Sequence, residues 1–158
     1  IKLFHTFSPG HTGGIEGLVS AKAGSNDLAI AVSKDNNIGI WDIRQKSLLN
    51  KISDIPLKAR FTMAISKNST YIAVGSSEGE IAVWVTESYS LWHKFTDKSD
   101  YSEKAISALA IASNKQILIS CTGKRINFWS ILEKKHLSHI DAAHTGYISC
   151  MIITNSGT

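Results

Sequence analysis

Ile38-Gly39-Ile40-Trp41 recurs twice along this chain, as Ile81-Ala82-Val83-Trp84 and as Ile126-Asn127-Phe128-Trp129. The three tryptophans are spaced by 43 and 45 residues. Eleven residues after each stands a large apolar residue, Ile52, Phe95 or Ile140, and Phe7 precedes Ile52 by 45. A second register ties the two ends together. Residues 2–15 align without a gap on residues 135–148 at an offset of 133, so His11 meets His144, Thr12 meets Thr145, Gly13 meets Gly146 and Ile15 meets Ile148. That offset is three repeats of about 44 residues, in the range of stacked repeat units.

Each repeat reads as four short strands. Apolar and β-branched residues alternate, and Ser, Asn, Lys and Gly fill the gaps. In the second repeat the expected strands are Arg60–Ser66, Tyr71–Ser76, Ile81–Thr86 and Ser90–Phe95. Residues 66–70 form one turn and residues 77–80 another, with Gly79 free to take a positive φ. No segment sustains a 3.6-residue period. A plain β-sandwich would also carry strands every 8–12 residues, but it would not explain tryptophans and histidines kept in register.

The repeat resembles the WD-repeat β-propeller family over essentially the whole chain. The first repeat carries the signature in full: Gly10-His11, then Ser33-Lys34-Asp35, then Ile38-Gly39-Ile40-Trp41-Asp42. The resemblance implies an all-β fold of four-stranded antiparallel blades. On that template residues 1–7 end an earlier blade with an outer strand at Leu3–Phe7. Blades follow over 8–52, 53–95 and 96–140, and 141–158 begins another. It also implies a hydrogen-bonded set in the first blade. Asp35 would accept from His11, His11 would meet Ser33, and Ser33 would reach the Trp41 indole. A buried carboxylate and imidazole need every partner supplied, so this set is expected to be structural and not a catalytic dyad.

The other blades depart from the pattern. Ser76, Glu78 and Trp84 hold the matching positions in the second, but residues 53–75 contain no His and Glu78 is expected to face solvent. In the third, Cys121 replaces the Ser and Gly123 the Asp. Those blades are expected to rest on apolar packing, with Trp92 part of it; Leu49 and Leu137 occupy its place in the neighbouring repeats. Three blades do not close a ring, since propellers have about four to eight. Both ends break off in mid-pattern. The expectation is therefore a piece of a longer polypeptide, or a ring completed by another copy.

The chain has 158 residues, 43% hydrophobic and 19% charged, with a net charge of +4. That composition supports a core and excludes a disordered chain. No apolar run approaches the ~18 residues of a membrane-spanning helix, so no membrane insertion is expected. Cys121 and Cys150 are the only cysteines, too few for a disulfide scaffold or a four-cysteine zinc site, and a reducing intracellular setting, cytoplasm or nucleus, fits. Gly10, Gly13, Gly14 and Gly17 cluster but feed a strand, not a helix, so they make no dinucleotide loop. His136 and His139 are three apart, which points them to opposite faces of a strand, so they are not expected to share a metal. No catalytic residue, metal or cofactor is expected.

The leading expectation is a non-catalytic protein-interaction scaffold, with function on the loops. The family template places the connections between blades and the turns between second and third strands on one face. Lys34, Asn36, Lys58, Lys98, Lys124 and Arg125 belong there, with Tyr147 near the edge, and residues 96–103 offer a docking loop with Tyr101 as its aromatic. Two alternatives remain. Trp41-Asp42-Ile43-Arg44 resembles the motif of substrate receptors of cullin–RING ubiquitin ligases, with Arg44 exposed on the opposite face. The mildly basic balance also permits an RNA-associated propeller in a ribonucleoprotein or ribosome-assembly complex.

Overall fold

The alternation of aliphatic and polar residues resolves into twelve strands among the described residues. They are β1 (Ile15–Ala23), β2 (Asn26–Ser33), β3 (Ile38–Asp42), β4 (Ser47–Ile52), β5 (Thr62–Ile65), β6 (Tyr71–Gly75), β7 (Glu80–Val85), β8 (Ser90–Thr96), β9 (Ile106–Ala112), β10 (Ile117–Thr122), β11 (Arg125–Ser130) and β12 (Lys135–Ile140). The structure is a computed structural model and describes residues 5–7, 10–58, 62–96, 104–112 and 116–154. Each run of four consecutive strands forms one antiparallel sheet in chain order. β5 begins at Thr62, with Arg60 and Phe61 outside the described residues. The expected outer strand at Leu3–Phe7 lies partly outside them too, and residues 5–7 carry no strand. Nor do residues 141–154, which run as turns and irregular chain. Strand geometry needs a ladder partner, and the described residues offer this segment none.

Side-chain alternation gives each sheet two apolar faces, and the faces stack. Leu28, Ile30 and Val32 of β2 with Ile38 and Ile40 of β3 pack against Met63, Ile72, Val74, Ala82 and Trp84 of the second sheet. The opposite face of that sheet, with Tyr71, Ala73, Ile81, Val83 and Phe95, packs against Ile106, Leu109, Leu118 and Trp129 of the third. Each buried aliphatic side chain contributes roughly 1.5–3 kcal/mol. Two glycines mark where strands approach too closely for a side chain. A Cβ on Gly17 would lie 3.0 Å from Met63 Cγ, and one on Gly75 would lie 2.7 Å from Ile106 Cγ2.

One irregularity repeats in all three sheets. The pairing of third and fourth strands slips by one residue after Ile40, Val83 and Phe128, immediately before the tryptophan. The extra residue on the fourth strand is Leu49, Trp92 or Leu137, the three positions that align in the sequence. Each is a β-bulge, which bends an outer strand and adds twist.

Candidate interaction surface

Two ends of the sheets present different chemistry. At one end the β2–β3, β6–β7 and β10–β11 turns meet the connections between sheets, and backbone hydrogen bonds lock them together. Lys34 N–H donates to Gly14 O at 3.0 Å, Ile55 N–H to Asn36 O at 3.3 Å, Ile106 N–H to Ser76 O at 2.9 Å, and Ile148 N–H to Gly123 O at 2.9 Å. This is the face to which Lys34, Asn36, Lys58, Lys124, Arg125 and Tyr147 were expected to belong. Lys98 and Tyr101 lie outside the described residues. At the other end sit the β1–β2, β3–β4, β5–β6 and β7–β8 turns, with Arg44 among them.

The first turn of the loop face is built around Asp35. His11 Nδ1 lies 3.0 Å from both carboxylate oxygens. Thr12 N–H donates to Oδ2 at 2.8 Å and Asn37 N–H to Oδ1 at 3.2 Å. Burial pushes the carboxyl pKa up, but the Thr12 amide, Asn37 and His11 outweigh it and hold the group well below the usual carboxylate range. Gly13 is required beside this turn, because a Cβ there would come within 2.6 Å of Asp35 N. Ser33 and Ser76 do the same local work. Ser33 Oγ accepts the Asp35 N–H at 3.2 Å, and Ser76 Oγ accepts those of Glu78 and Glu80 at 3.2 Å each. Glu78, where the first sheet has Asp35, is exposed.

The remaining half of the expected set is absent. Trp41 Nε1 and His11 Nε2 are buried without a hydrogen-bond partner among the described residues, so the Ser33–Trp41 link is not made. Sheet register gives the reason. In the third sheet Trp129 Nε1 donates to Ser120 Oγ at 2.9 Å, and Ser120 sits two residues along from Leu118, which pairs with Trp129. The same step from Ala29, the partner of Trp41, lands on Ala31, which has no hydroxyl, while Ser33 is two residues further. Trp41 is instead held by packing: its ring meets His11 at 5.4 Å and Phe7 at 6.3 Å, and it covers Gly39 so closely that a Cβ there would overlap it.

Ser120 was not singled out in the sequence, and Cys121 was placed wrongly. The third hairpin is one residue shorter, since Thr122 pairs directly with Arg125 across Gly123 and Lys124. Counting back from Trp129 by the spacing of the other repeats therefore lands on Cys121. The register instead puts Thr122 level with Ser33 and Ser76. Cys121 points to the opposite face, against Ala108 and Ile148, where burial pushes its thiol up to about 11.

Several expected surface residues have structural duties. Asn36 takes φ 61°, the left-handed geometry that Gly79 takes at the matching turn position, and Asn tolerates it better than other side chains. Arg125 is mostly buried, with Nε donating to Asp141 Oδ1 at 2.6 Å. Lys34 is exposed, its Nζ 3.9 Å from Glu16 Oε1. Lys58 is exposed, Lys124 half-buried and Tyr147 68% exposed. Lys104, not named from the sequence, joins this face. It is exposed, and its carbonyl lies 3.0 Å from where a Gly79 Cβ would stand. Gly79 was readable as a turn glycine; the chain leading into β9 that folds back over it was not.

On the opposite end, Arg44 is exposed, but its guanidinium is not unoccupied. Nε donates to Asp27 Oδ2 at 2.7 Å, and this bond lowers the Asp27 pKa. The exclusion of a shared histidine face is also corrected. The bulge at Leu137 changes the strand's alternation, so the His136 and His139 rings stack at 5.7 Å. His139 Nε2 lies 3.3 Å from Asp141 Oδ2, itself held by Arg125. No group of three or more His, Cys, Asp or Glu side chains converges to hold a metal among the described residues. Trp92 packs as expected: it donates to Ile131 O at 2.9 Å, joining the second sheet to the third, with Lys134 Nζ 4.3 Å from its ring centroid.

Comparison with known proteins matches this geometry. The family model described as WD domain, G-beta repeat, fits residues 1–42. Two solved structures, titled "Crystal structure of RRP9 WD40 repeats" and "Structure of U3-55K", superpose with TM-scores of 0.74 each at 23% and 22% identity, over 89% of this chain and 42% and 43% of theirs. At that identity the likeness is one of fold. The fold is that of part of a WD-repeat β-propeller, and residues 1–42 match the repeat itself. Among curated relatives, Elongator complex protein 2 of Saccharomyces cerevisiae is 26% identical over 65% of this chain and 14% of its own length. Pre-mRNA-splicing factor cwf17 of Schizosaccharomyces pombe is 34% identical over 48% of this chain and 21% of its own length. The chain thus spans a small part of these relatives. No helix among the described residues is long and apolar enough to cross a membrane.

Proposed function

We propose that these blades, divided as 8–52, 53–95 and 96–140, form part of a non-catalytic interaction scaffold that docks proteins on the loop face. The observation that carries this is the backbone locking of that face. Turns and connections are fixed by main-chain hydrogen bonds, so lysine side chains project from a rigid frame. Preorganised loops lose little entropy on binding. The names of two relatives point the same way, one denoting a member of a complex and the other a splicing factor. That company suggests an intracellular setting, nuclear or cytoplasmic, with RNA as the second reading, favoured by Lys34, Lys58, Lys104 and Lys124 on one face. The ubiquitin-ligase reading rests on Arg44, whose engagement with Asp27 weakens it.

A charge-reversal set, Lys34→Glu with Lys58→Glu and Lys104→Glu, tests the docking face in the intact polypeptide. These side chains are exposed, so stability should move by no more than about 0.5 kcal/mol each. Protein partners recovered with the native polypeptide should be lost, and the loss should persist after nuclease treatment. Recovery unchanged by the substitutions contradicts the proposal. Loss that nuclease alone reproduces favours the RNA reading.

A further inference from the structure

We infer that the first sheet binds one internal water molecule, which links His11 to Trp41 where a serine hydroxyl serves the third sheet. His11 and Trp41 lie against each other, with ring centroids 5.4 Å apart in a T-shaped contact. His11 Nε2 and Trp41 Nε1 are both buried without a hydrogen-bond partner among the described residues. The His11 side chain is 3% exposed and Trp41 7%. A polar atom left unserved at that depth is costly, and nearly all such atoms in folded proteins have a protein or water partner.

The two atoms are chemically complementary. His11 Nδ1 faces both Asp35 carboxylate oxygens at 3.0 Å. A carboxylate only accepts, so Nδ1 carries the ring proton and Nε2 of the neutral ring is an acceptor. The Trp41 indole N–H only donates. A water can accept from the indole and donate to the imidazole at once. Ser33 offers a third partner. It is fully buried on the face of β2 that also carries Ala29 and Ala31, and its Oγ accepts the Asp35 N–H at 3.2 Å, which leaves its own hydrogen to donate. Two to four polar partners are what hold a buried water. The third sheet shows the direct alternative, with Ser120 Oγ accepting from Trp129 Nε1 at 2.9 Å. Ala31 stands at the register position of Ser120 and supplies no oxygen, so the link from Trp41 has to run through solvent.

This site is independent of the loop face and stands whether or not that face docks proteins. Crystals of the intact polypeptide, at a resolution that shows ordered solvent, test it. A solvent peak should lie about 3 Å from both Trp41 Nε1 and His11 Nε2. Ala31→Ser should bring a hydroxyl to Trp41 Nε1, expel that peak and raise the melting temperature of the intact polypeptide, since the displaced water regains its freedom. Ala31→Val adds bulk without a polar atom and should lower the melting temperature. If either variant fails to fold, the density of the native polypeptide decides alone. No solvent peak joining the two atoms, a protein group bonded directly to either of them, a peak that survives Ala31→Ser, or a melting temperature that Ala31→Ser lowers overturns the inference.

Discussion

Asp35 accepts hydrogen bonds from the side chains of His11 and Thr12 and from the backbone amides of Thr12 and Asn37. His11→Ala removes one of these and leaves the carboxylate with the other three, so it should cost about 1.5–3 kcal/mol, the worth of a hydrogen bond to a charged group. His93→Ala should cost less than about 1 kcal/mol, since His93 is half-buried and touches Phe95 only edge-on. Denaturant melts compare the two, and equal losses would contradict the assignment. The same group sets an acid limb. Its carboxyl pKa is lower in the fold than the ordinary 3.8 of the unfolded chain. Its stabilisation is therefore complete above about pH 4 to 5 and drains away as pH falls toward the folded value. Asp35→Asn should flatten that limb in urea midpoints measured from pH 5 downward. An unchanged acid limb would show that Asp35 does not carry it.

At the scale of the element, the hairpin turns and the bulges decide what fixed spacing reveals. The tryptophan frames, strand order and first two hairpins were readable because they share a register. Ser120 and Thr122 were not, because one missing turn residue shifts the count and exchanges the two faces of a strand. The His136–His139 stack was hidden for a related reason: a bulge breaks the two-residue period that argued against it. Two glycines test this level. Gly39→Ala would drive a methyl into the Trp41 ring and should cost about 1–3 kcal/mol by overpacking, with the tryptophan emission moving toward that of an exposed indole. Gly79→Ala combines φ 84° with a carbonyl at 3.0 Å and should cost about 1–2 kcal/mol, whereas Gly79→Asn, which copies Asn36, should cost less. An alanine tolerated as well as the asparagine would contradict the turn geometry.

For the whole molecule, sheets stacked face to face make each interior depend on a neighbour. Ile15 and Leu18 on the first strand, and Leu132 and Ile140 around the last, are apolar side chains that the described residues leave exposed. What the stacked sheets hold constant is the pair of ends, one of them formed by locked loops that bear lysines. Partner choice was not readable in the sequence, because scattered lysines look alike until the fold gathers them on one face. The most direct test of the scaffold account is lysine-reactive cross-linking with mass spectrometry on the assembly purified around the intact polypeptide. The account predicts links to other proteins concentrated at Lys34, Lys58, Lys104 and Lys124. Those lysines free of protein links, with ultraviolet cross-links to RNA on the same face, would contradict it.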